Sequence, residues 1–288
     1  MRQLEYLQPK TLEEALNILA DKPDNIKVLA GGTDLVVQLR DNSLPENINC
    51  ILDISRIKGL QEIKNNNGEI TIGSLITHEE LLHNQFFLEK LPFINEAASA
   101  VGSPQIRRRG TIGGNICNAA PCADSVPVLA ALDAEVLLVS QSGKRQLSLT
   151  EFIDGPYKTK LKQNEIMTSI KFIMPEPGIG TSFMKVGRRK ALAISRMSVA
   201  VIISKDQAGK INGFYLSTGS VTPKPTRLPA AERVLLDKEP TDDLINETAE
   251  KVAQIMIDTS GYRWSTEYKK PVIKTMVIRS IKQALEAI

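Results

Sequence analysis

The sequence contains little of what several common classes of protein require. Its three cysteines, at positions 50, 117 and 122, are an odd and widely spaced set, which argues against a disulfide framework and is typical of a reducing cytoplasm. Its two histidines, His78 and His83, leave too few ligands for a metal centre, and we predict no metal site. The N-terminus lacks the apolar run of a signal peptide, and no stretch approaches the length of a membrane span. These absences predict a cytoplasmic protein.

Several signatures of nucleotide binding and catalysis are also missing. The dinucleotide pattern G-x-G-x-x-G and the P-loop pattern are absent, so neither a Rossmann site nor nucleotide hydrolysis is supported. No nucleophile motif accompanies the two histidines, and there is no serine–histidine–acid candidate. The net charge of +3, without a basic tail, does not indicate nucleic-acid binding.

The most informative features present are two glycine-rich stretches, LAGGTDL at 29–35 and RRRGTIGGNICNAAPCAD at 107–124. Glycine has no Cβ, so a ligand can lie against bare backbone amides, and consecutive N–H groups that point one way form an anion site. Two such loops predict one ligand that carries a diphosphate. Because the chain shows no acid–base or nucleophile set of its own, we expect the ligand to perform the chemistry, as a redox cofactor does.

Parts of this pattern stay open on the residues alone. The GGTD sequence also fits a plain tight turn, with Thr33 or Asp34 capping a short helix at 35–39. The three arginines at 107–109 fit a solvated loop as well as a phosphate-side or subunit contact. Asp124 fits an N-cap of a following helix as well as an acceptor for a ribose hydroxyl or a ring N–H, and these two roles are compatible.

Hydrophobic patterning predicts helices and strands in mixed order, and hence an α+β protein. The sequence PEPG at 175–178 interrupts the pattern, and we place a domain boundary there. The stretch beyond it predicts a small antiparallel sheet covered by helices, with Pro271 in the first turn of the last helix. The predicted strands there are 182–186, 198–205 and 211–218, and the predicted helices are 230–236, 242–257 and 268–288.

Three stretches resemble the FAD-binding subunits of the molybdenum hydroxylases, a family that includes xanthine, carbon monoxide and nicotinate dehydrogenases. They are AGGTDL at 30–35, QIRRRGTIGGNICNAAPCAD at 105–124 and FMKVGRRKALAIS at 183–195. The resemblance covers nearly the whole chain. It implies a two-lobed FAD-binding domain of the vanillyl-alcohol-oxidase (PCMH) type at 1–175, with subdomains at about 1–57 and 58–175. A sheet-and-helix domain at 179–288 is expected to follow.

The resemblance also implies which residues bind FAD. Backbone N–H groups of 30–34 and 111–115 are expected to hold the diphosphate, with added side-chain hydrogen bonds from Thr33, Thr111 and Asn115. Val101 and Met167 match apolar contacts, although pattern alone makes them core residues. The implied cofactor contacts are Leu29, Ala30, Gly31, Gly32, Thr33, Asp34, Val101, Thr111, Ile112, Gly113, Gly114, Asn115, Asp124, Met167 and Lys185.

A catalytic role is implied for Lys185, which matches a lysine near the flavin in relatives, although Met184 also fits that register. A cation at Lys185 or Arg188 is expected to stabilise the anionic reduced flavin. The implied complex has a large molybdopterin subunit and a small subunit with two [2Fe–2S] clusters. Electrons are expected to pass through FAD to NAD or another acceptor. Three dispersed cysteines cannot supply an extra [4Fe–4S] cluster.

Two other interpretations remain. The chain could be a non-catalytic nucleotide-binding scaffold subunit, or a stand-alone flavin oxidase of the same fold. The oxidase would need its own substrate base, and the sequence offers none. The hydroxylated substrate is not predicted, because its pocket is expected on another chain.

Overall fold

The computed structural model describes residues 3–22, 24–189 and 192–288 of the 288-residue chain. Lys190 and Ala191, which belong to the 183–195 stretch that carries the resemblance, lie outside the described residues. The chain divides into two compact units, and each is described by itself. The first unit consists of Met1–Leu81, Ser103–Ala119 and Ala134–Ile173, and the second of Leu82–Gly102, Ala120–Asp133 and Met174–Ile288.

Helices and strands occur in mixed order, which confirms the predicted α+β class. In chain order the strands are β1 (Glu5–Leu7), β2 (Ile26–Leu29), β3 (Cys50–Asp53), β4 (Ile63–Asn66), β5 (Glu69–Gly73), β6 (Glu135–Ser140), β7 (Gly143–Ser148), β8 (Ile153–Gly155), β9 (Lys158–Thr159), β10 (Ile166–Ile173), β11 (Ile179–Gly187), β12 (Ser195–Lys205), β13 (Ile211–Gly219) and β14 (Thr226–Arg227). The helices are α1 (Leu12–Asp21), α2 (Leu35–Arg40), α3 (His78–Leu82), α4 (Gln85–Lys90), α5 (Pro92–Ala100), α6 (Pro104–Arg107), α7 (Ile112–Asn118), α8 (Ser125–Ala131), α9 (Leu149–Phe152), α10 (Pro229–Leu235), α11 (Asp242–Ser260) and α12 (Thr266–Glu286).

The described residues of the first unit form one parallel sheet and two antiparallel ones, of which β8 and β9 make up the smallest. Strands β1, β3 and β2 form a parallel sheet in that order, and β4, β5, β10, β6 and β7 form an antiparallel sheet. Helix α1 covers the parallel sheet, because Ala15, Leu16 and Leu19 belong to the same buried cluster as Cys50 and Leu52 of β3. Burial of such side chains contributes about 1.5–3 kcal/mol each to folding.

The parallel sheet ends at an edge where the first glycine-rich loop begins. Strand β2 ends at Leu29 and β3 ends at Asp53, and these two residues lie side by side in the sheet. The carboxyl ends of parallel strands meet at the same edge of a sheet, where ligands commonly bind. The residues from Ala30 to Asp34 therefore leave the sheet at that edge before α2 begins.

The second unit is an antiparallel sheet with helices packed on both faces. Its strand order is β11-β12-β13-β14. Helices α10, α11 and α12 enclose one face in a large buried cluster, as predicted for this part of the chain. On the opposite face the register places Lys185, Ser198 and Gly219 side by side, and Pro127 of α8 packs against Gly219.

The start of the last helix differs from the prediction. Helix α12 begins at Thr266, so Pro271 lies inside it and not in its first turn. The Lys269 N–H donates to Ser265 O at 2.8 Å, which closes a helical turn before the proline. Among the described residues, no helix is both long and apolar enough to cross a bilayer.

Candidate cofactor-binding site

The first glycine loop, defined as residues 29–34, presents backbone N–H groups without acceptors. None of the five amides from Ala30 to Asp34 donates to a described atom. The loop is half-buried up to Thr33 and exposed at Asp34. Unpaired backbone donors are costly when they are shielded from water, so a ligand that accepts from them is favoured. This loop is therefore suited to an anion such as a diphosphate.

Close contact with a second segment keeps this loop in place. A Cβ added to Gly31 would overlap Arg109 O and lie 2.7 Å from the carbonyl carbon of Arg109, so only glycine fits here. The Asn118 side chain donates to Asp34 Oδ1 at 2.9 Å. Asp34 occupies the N-cap position of α2, but its side chain does not cap the helix, contrary to the prediction. Its carboxylate is bound by Asn118 instead.

The second glycine loop, defined as residues 111–115, is built differently because its amides already have acceptors. The N–H groups of Ile112 and Gly113 donate to Ile76 O and Ser74 O, both at 2.9 Å. The Gly114 N–H donates to Thr111 Oγ1 at 3.1 Å, and the Asn115 N–H donates to Thr111 O at 2.9 Å. These hydrogen bonds hold the loop against the segment 74–78.

The segment 74–78 supports the second loop and was not predicted as part of the site. The Ser74 N–H donates to Thr168 O at 3.0 Å, which connects the segment to β10 directly after Met167. Met167 is buried, 4% exposed. A Cβ added to Gly113 would lie 2.6 Å from Ser74 Cβ, so the second loop uses this glycine for close packing. The sequence signal available here was the Thr77–Glu80 capping box, which the structure contains.

A buried histidine lies behind the second loop. His78 is 1% exposed, and its backbone N–H donates to Gly110 O at 3.0 Å. The imidazole Nδ1 has no hydrogen-bond partner among the described residues. Burial, together with the positive charge of Arg107, lowers the pKa of His78 to about 4. The imidazole is therefore neutral at pH 7.

The three consecutive arginines have different environments. Arg107 Nε donates to Glu79 Oε2 at 3.2 Å, and Arg108 lies 3.8 Å from the same carboxylate. Arg109 is exposed, and no described carboxylate lies within 4 Å of its guanidinium. Arg107 thus has a structural ion pair, while Arg109 has a solvated side chain beside the first glycine loop.

In the second unit, Lys185 and Asp124 form a buried ion pair. Lys185 Nζ lies 2.6 Å from Asp124 Oδ2 and donates to Ala100 O at 2.8 Å. The side chains of Lys185 and Asp124 are only 15% and 7% exposed. Lys185 of β11 therefore connects the end of α5, next to Val101, with the start of α8. Met184 packs against the helix-covered core on the other face, so Lys185 and not Met184 meets Asp124.

Half of the Asp124 carboxylate remains without a partner. The buried Ser195 hydroxyl lies near the Asp124 carboxylate, but among the described residues neither Asp124 Oδ1 nor Ser195 Oγ forms a hydrogen bond of normal geometry. Burial raises the pKa of Asp124 to about 6, while Lys185 and the nearby Ser195 hydroxyl act in the opposite direction. Asp124 stands at the N-cap position of α8 without capping it, contrary to the prediction. A buried acceptor of this kind is suited to a ligand donor.

Two family models match consecutive parts of the chain. Residues 2–176 match the FAD binding domain in molybdopterin dehydrogenase, and residues 182–284 match the CO dehydrogenase flavoprotein C-terminal domain. The chain belongs to this family of FAD-binding dehydrogenase subunits. It is thus an FAD-binding oxidoreductase subunit, as the resemblance implied.

Individual relatives match this chain over more than nine-tenths of their length and agree with this assignment. The nicotinate dehydrogenase FAD-subunit of Eubacterium barkeri is 34% identical over 278 residues, which are 95% of this chain and 93% of that protein. The glyceraldehyde dehydrogenase medium chain of Sulfolobus acidocaldarius is 33% identical over 279 residues, 96% and 97% of the two chains. A solved carbon monoxide dehydrogenase from Hydrogenophaga pseudoflava superposes with a TM-score of 0.92 at 27% identity, covering 99% of this chain and 98% of that one.

The residues of this flavoprotein subunit fit FAD in each unit separately. The first unit offers five consecutive amides without acceptors, which suit the diphosphate of the cofactor. The second unit offers the unpartnered Asp124 Oδ1, which suits a hydroxyl or ring N–H donor. Sequence reasoning missed the Lys185–Asp124 pair and the role of Ser195, because nothing in the spacing indicates that these residues meet.

Proposed function

We propose that this chain is the electron-transfer subunit of a molybdenum hydroxylase, passing electrons from iron–sulfur clusters through FAD to NAD or another acceptor. The observation that carries the proposal is the row of free amides at 30–34, in a chain whose family binds FAD. When bound, FAD supplies transfer of one or two electrons. The chain's own task is to bind the cofactor and set its electrostatic surroundings.

We propose the same binding residues as those implied by the resemblance, with one change: the backbone N–H groups of 112–115 are not proposed to hold the diphosphate, because they already donate within the chain. The amides of Ala30 to Asp34 would hold the diphosphate, and Thr33, Thr111 and Asn115 would add side-chain hydrogen bonds. The other proposed contacts are Leu29, Ile112, Gly113, Gly114, Val101, Asp124, Met167 and Lys185. We assign the FAD-binding domain to residues 1–175 and the C-terminal domain to 179–288.

Lys185 is the proposed catalytic residue of the chain. Its ammonium group is largely buried, so its charge, although partly offset by Asp124, acts through a medium of low polarity. Such a cation favours the more negative state of a nearby redox group. Replacing Lys185 with Met is expected to lower the flavin reduction potential, and an unchanged potential would contradict this role.

The proposed partners are a large molybdopterin-binding subunit and a small [2Fe–2S] subunit. Support comes from the carbon monoxide dehydrogenase of Hydrogenophaga pseudoflava, a structural relative whose description names a molybdenum cofactor. We also propose a cytoplasmic location, because Cys50, Cys117 and Cys122 are all free thiols.

The direct test is the spectrum of the purified chain. We expect a yellow protein with about one FAD per chain, whose flavin band bleaches when NADH is added under anaerobic conditions. Bleaching by reduced iron–sulfur subunit but not by NADH would keep the electron-transfer role and exclude NAD as acceptor. A protein that neither contains FAD nor binds added FAD would support the scaffold interpretation. Turnover of a substrate by the isolated chain would support a stand-alone oxidase.

A further inference from the structure

The second unit carries an exposed aromatic cluster that the proposed function does not use. Trp264, the single tryptophan of the chain, is 89% exposed in the turn between α11 and α12. Tyr262 in the same turn is 69% exposed, and Ile194 before β12 is 77% exposed. Large apolar side chains grouped on a surface commonly mark a protein interaction site.

Cations surround these apolar side chains. The Arg196 guanidinium stacks over the Tyr268 ring at 5.2 Å from its centroid. Burial lowers the pKa of Lys269, and Arg263 and Arg196 lower it further, so three positive charges lie close together. Among the described residues, no carboxylate lies within 4 Å of any of the three. We call the whole set the Trp264 surface: Ile194, Arg196, Tyr262, Arg263, Trp264, Tyr268 and Lys269.

Hydrogen bonds hold two cations of the Trp264 surface and the backbone of its turn in place before any partner binds. Lys269 Nζ donates to Ser220 O at 2.7 Å, and Arg263 Nε donates to Ser260 O at 2.8 Å. The Arg263 N–H donates to Thr266 Oγ1 at 2.8 Å, which fixes the turn that carries Trp264. Side chains that are already ordered lose less entropy on binding, which favours affinity.

The local charge indicates the chemistry of the partner. In the turn and the first turns of α12, Glu267 is the single carboxylate against Arg263, Lys269 and Lys270. Trp, Tyr and Arg are the residues that dominate binding energy at protein interfaces, and uncompensated cations favour acidic partners. Nucleic acid is a poor candidate for the partner, because its binding needs many more phosphate contacts than three cations provide and the net charge of the chain is only +3.

We propose that the Trp264 surface is a docking site for a carboxylate-bearing segment of a partner polypeptide. This inference rests on the proposed function, in which the partner is another subunit of the dehydrogenase. The carboxylates of that segment pair with Arg263, Arg196 and Lys269, and an apolar side chain of the segment covers Trp264.

Fluorine labelling tests coverage of the surface directly. Because the chain has a single tryptophan, 5-fluorotryptophan gives one ¹⁹F resonance. We expect this resonance to shift and broaden when the unlabelled molybdopterin-binding and [2Fe–2S] subunits are added to the FAD-loaded chain. A fully assembled complex in which the resonance keeps its free-chain position would overturn the proposal.

Substitutions test the contribution of the surface to affinity. Trp264→Ala and Arg263→Glu are each expected to raise the dissociation constant of the complex about 10-fold or more, with a smaller effect of added salt in the arginine variant. Tyr157→Ala is the aromatic control, 67% exposed in the first unit, and Arg279→Glu is the charge control on α12. Both controls are expected to stay within about 2-fold of the wild-type affinity.

FAD content separates the two proposals. All four variants should retain FAD as the wild type does. Retained FAD with assembly that is insensitive to Trp264→Ala and Arg263→Glu overturns the docking site and leaves the proposed function standing. A chain without FAD that still assembles through this surface would overturn the proposed function and leave the docking site standing. Sedimentation with phosphatidylglycerol vesicles that is lost in Trp264→Ala, with assembly unchanged, would identify a membrane contact and overturn the proposal.

Discussion

The two glycine loops of the first unit have similar composition and different physical roles. In the first loop, residues 29–34, five consecutive amides donate to no described atom. In the second loop, residues 111–115, the amides from Ile112 to Asn115 donate to the segment 74–78 or to Thr111. Glycine therefore allows close packing in both loops, at Gly31 against Arg109 and at Gly113 against Ser74, but only the first loop leaves its amides without acceptors.

This difference assigns separate tasks to the loops. The first loop has the free donors that a diphosphate requires. Residues on either side of the second loop contact the first, since the Arg109 peptide lies next to Gly31 and the Asn118 side chain donates to Asp34. We therefore expect the second loop's direct contribution to the cofactor to come from the side chains of Thr111 and Asn115, with its backbone acting as support.

The largest expected effect is that of Gly31→Ala, which breaks the contact between the first loop and the Arg109 peptide that precedes the second loop. The new Cβ would overlap Arg109 O, so one backbone must move. We expect a loss of about 3 kcal/mol in unfolding free energy and loss of FAD from the purified protein. Urea unfolding of the apo protein and FAD titration measure the two effects.

Gly59→Ala is the matched control, since a Cβ at Gly59 meets no atom within 4 Å. It should change the unfolding free energy by less than about 1 kcal/mol and leave FAD binding intact. A Gly31→Ala protein with wild-type FAD affinity would show that the contact between the first loop and the Arg109 peptide is not needed for the cofactor.

Hydrogen exchange provides the next largest effect and compares the loops in one experiment. Amides that donate within the structure exchange slowly, while free amides exchange quickly. In the apo protein we expect fast exchange for residues 30–34 and protection for 112–115. Adding FAD should slow exchange in the first loop by about 100-fold, and change the second loop by only a few-fold. Equal protection of both loops in the apo protein would refute the assigned difference.

Of the two loops, only the second has a buried histidine behind it, and we expect His78 to make the free energy of unfolding depend on pH. Its pKa is lowered from 6.5 to about 4, so the folded state binds this proton less tightly than the unfolded state does. The stability that a neutral His78 provides is therefore present above pH 6.5 and lost as the pH falls to about 4. The loss amounts to at most about 3 kcal/mol.

The measurement is urea unfolding of the apo protein and of His78→Gln across this pH range. The variant should lose less stability on acidification than the wild type. Asp124, whose raised pKa of about 6 makes the folded state less stable as the pH rises from 4 to 6, acts in both proteins and cancels in the difference. Parallel pH profiles would contradict the role of His78.

Much of the fold could be predicted because its signals are local. The strands predicted at 182–186, 198–205 and 211–218 lie within β11, β12 and β13, and the predicted helices overlap α10, α11 and α12. Alternation and helical spacing are visible in the sequence itself. The start of α12 was predicted too late: the prediction began the helix at residue 268 to place Pro271 in its first turn, whereas the helix begins at Thr266.

The candidate site was predictable in its loops and not in its support. Glycine-rich sequence indicated both loops, but it could not show that Ser74 and Ile76 accept from the second one. The Lys185–Asp124 pair joins residues 61 positions apart, which no periodicity reveals. Capping predictions for Asp34 and Asp124 were wrong for the same reason, since distant partners engaged both carboxylates.

The smallest expected effect compares one threonine from each loop. Thr111 Oγ1 accepts from the Gly114 N–H and caps α7, whereas the one hydrogen bond of Thr33 Oγ1 to a described atom is a 3.3 Å contact with Asp34. Thr111→Val should therefore cost about 1 kcal/mol of unfolding free energy and also weaken FAD binding. Thr33→Val should weaken FAD binding and leave the apo protein as stable as before. Thr111→Ser keeps the cap and should behave as the wild type, and equal stability losses in the two valine variants would mean that the loops are held in the same way.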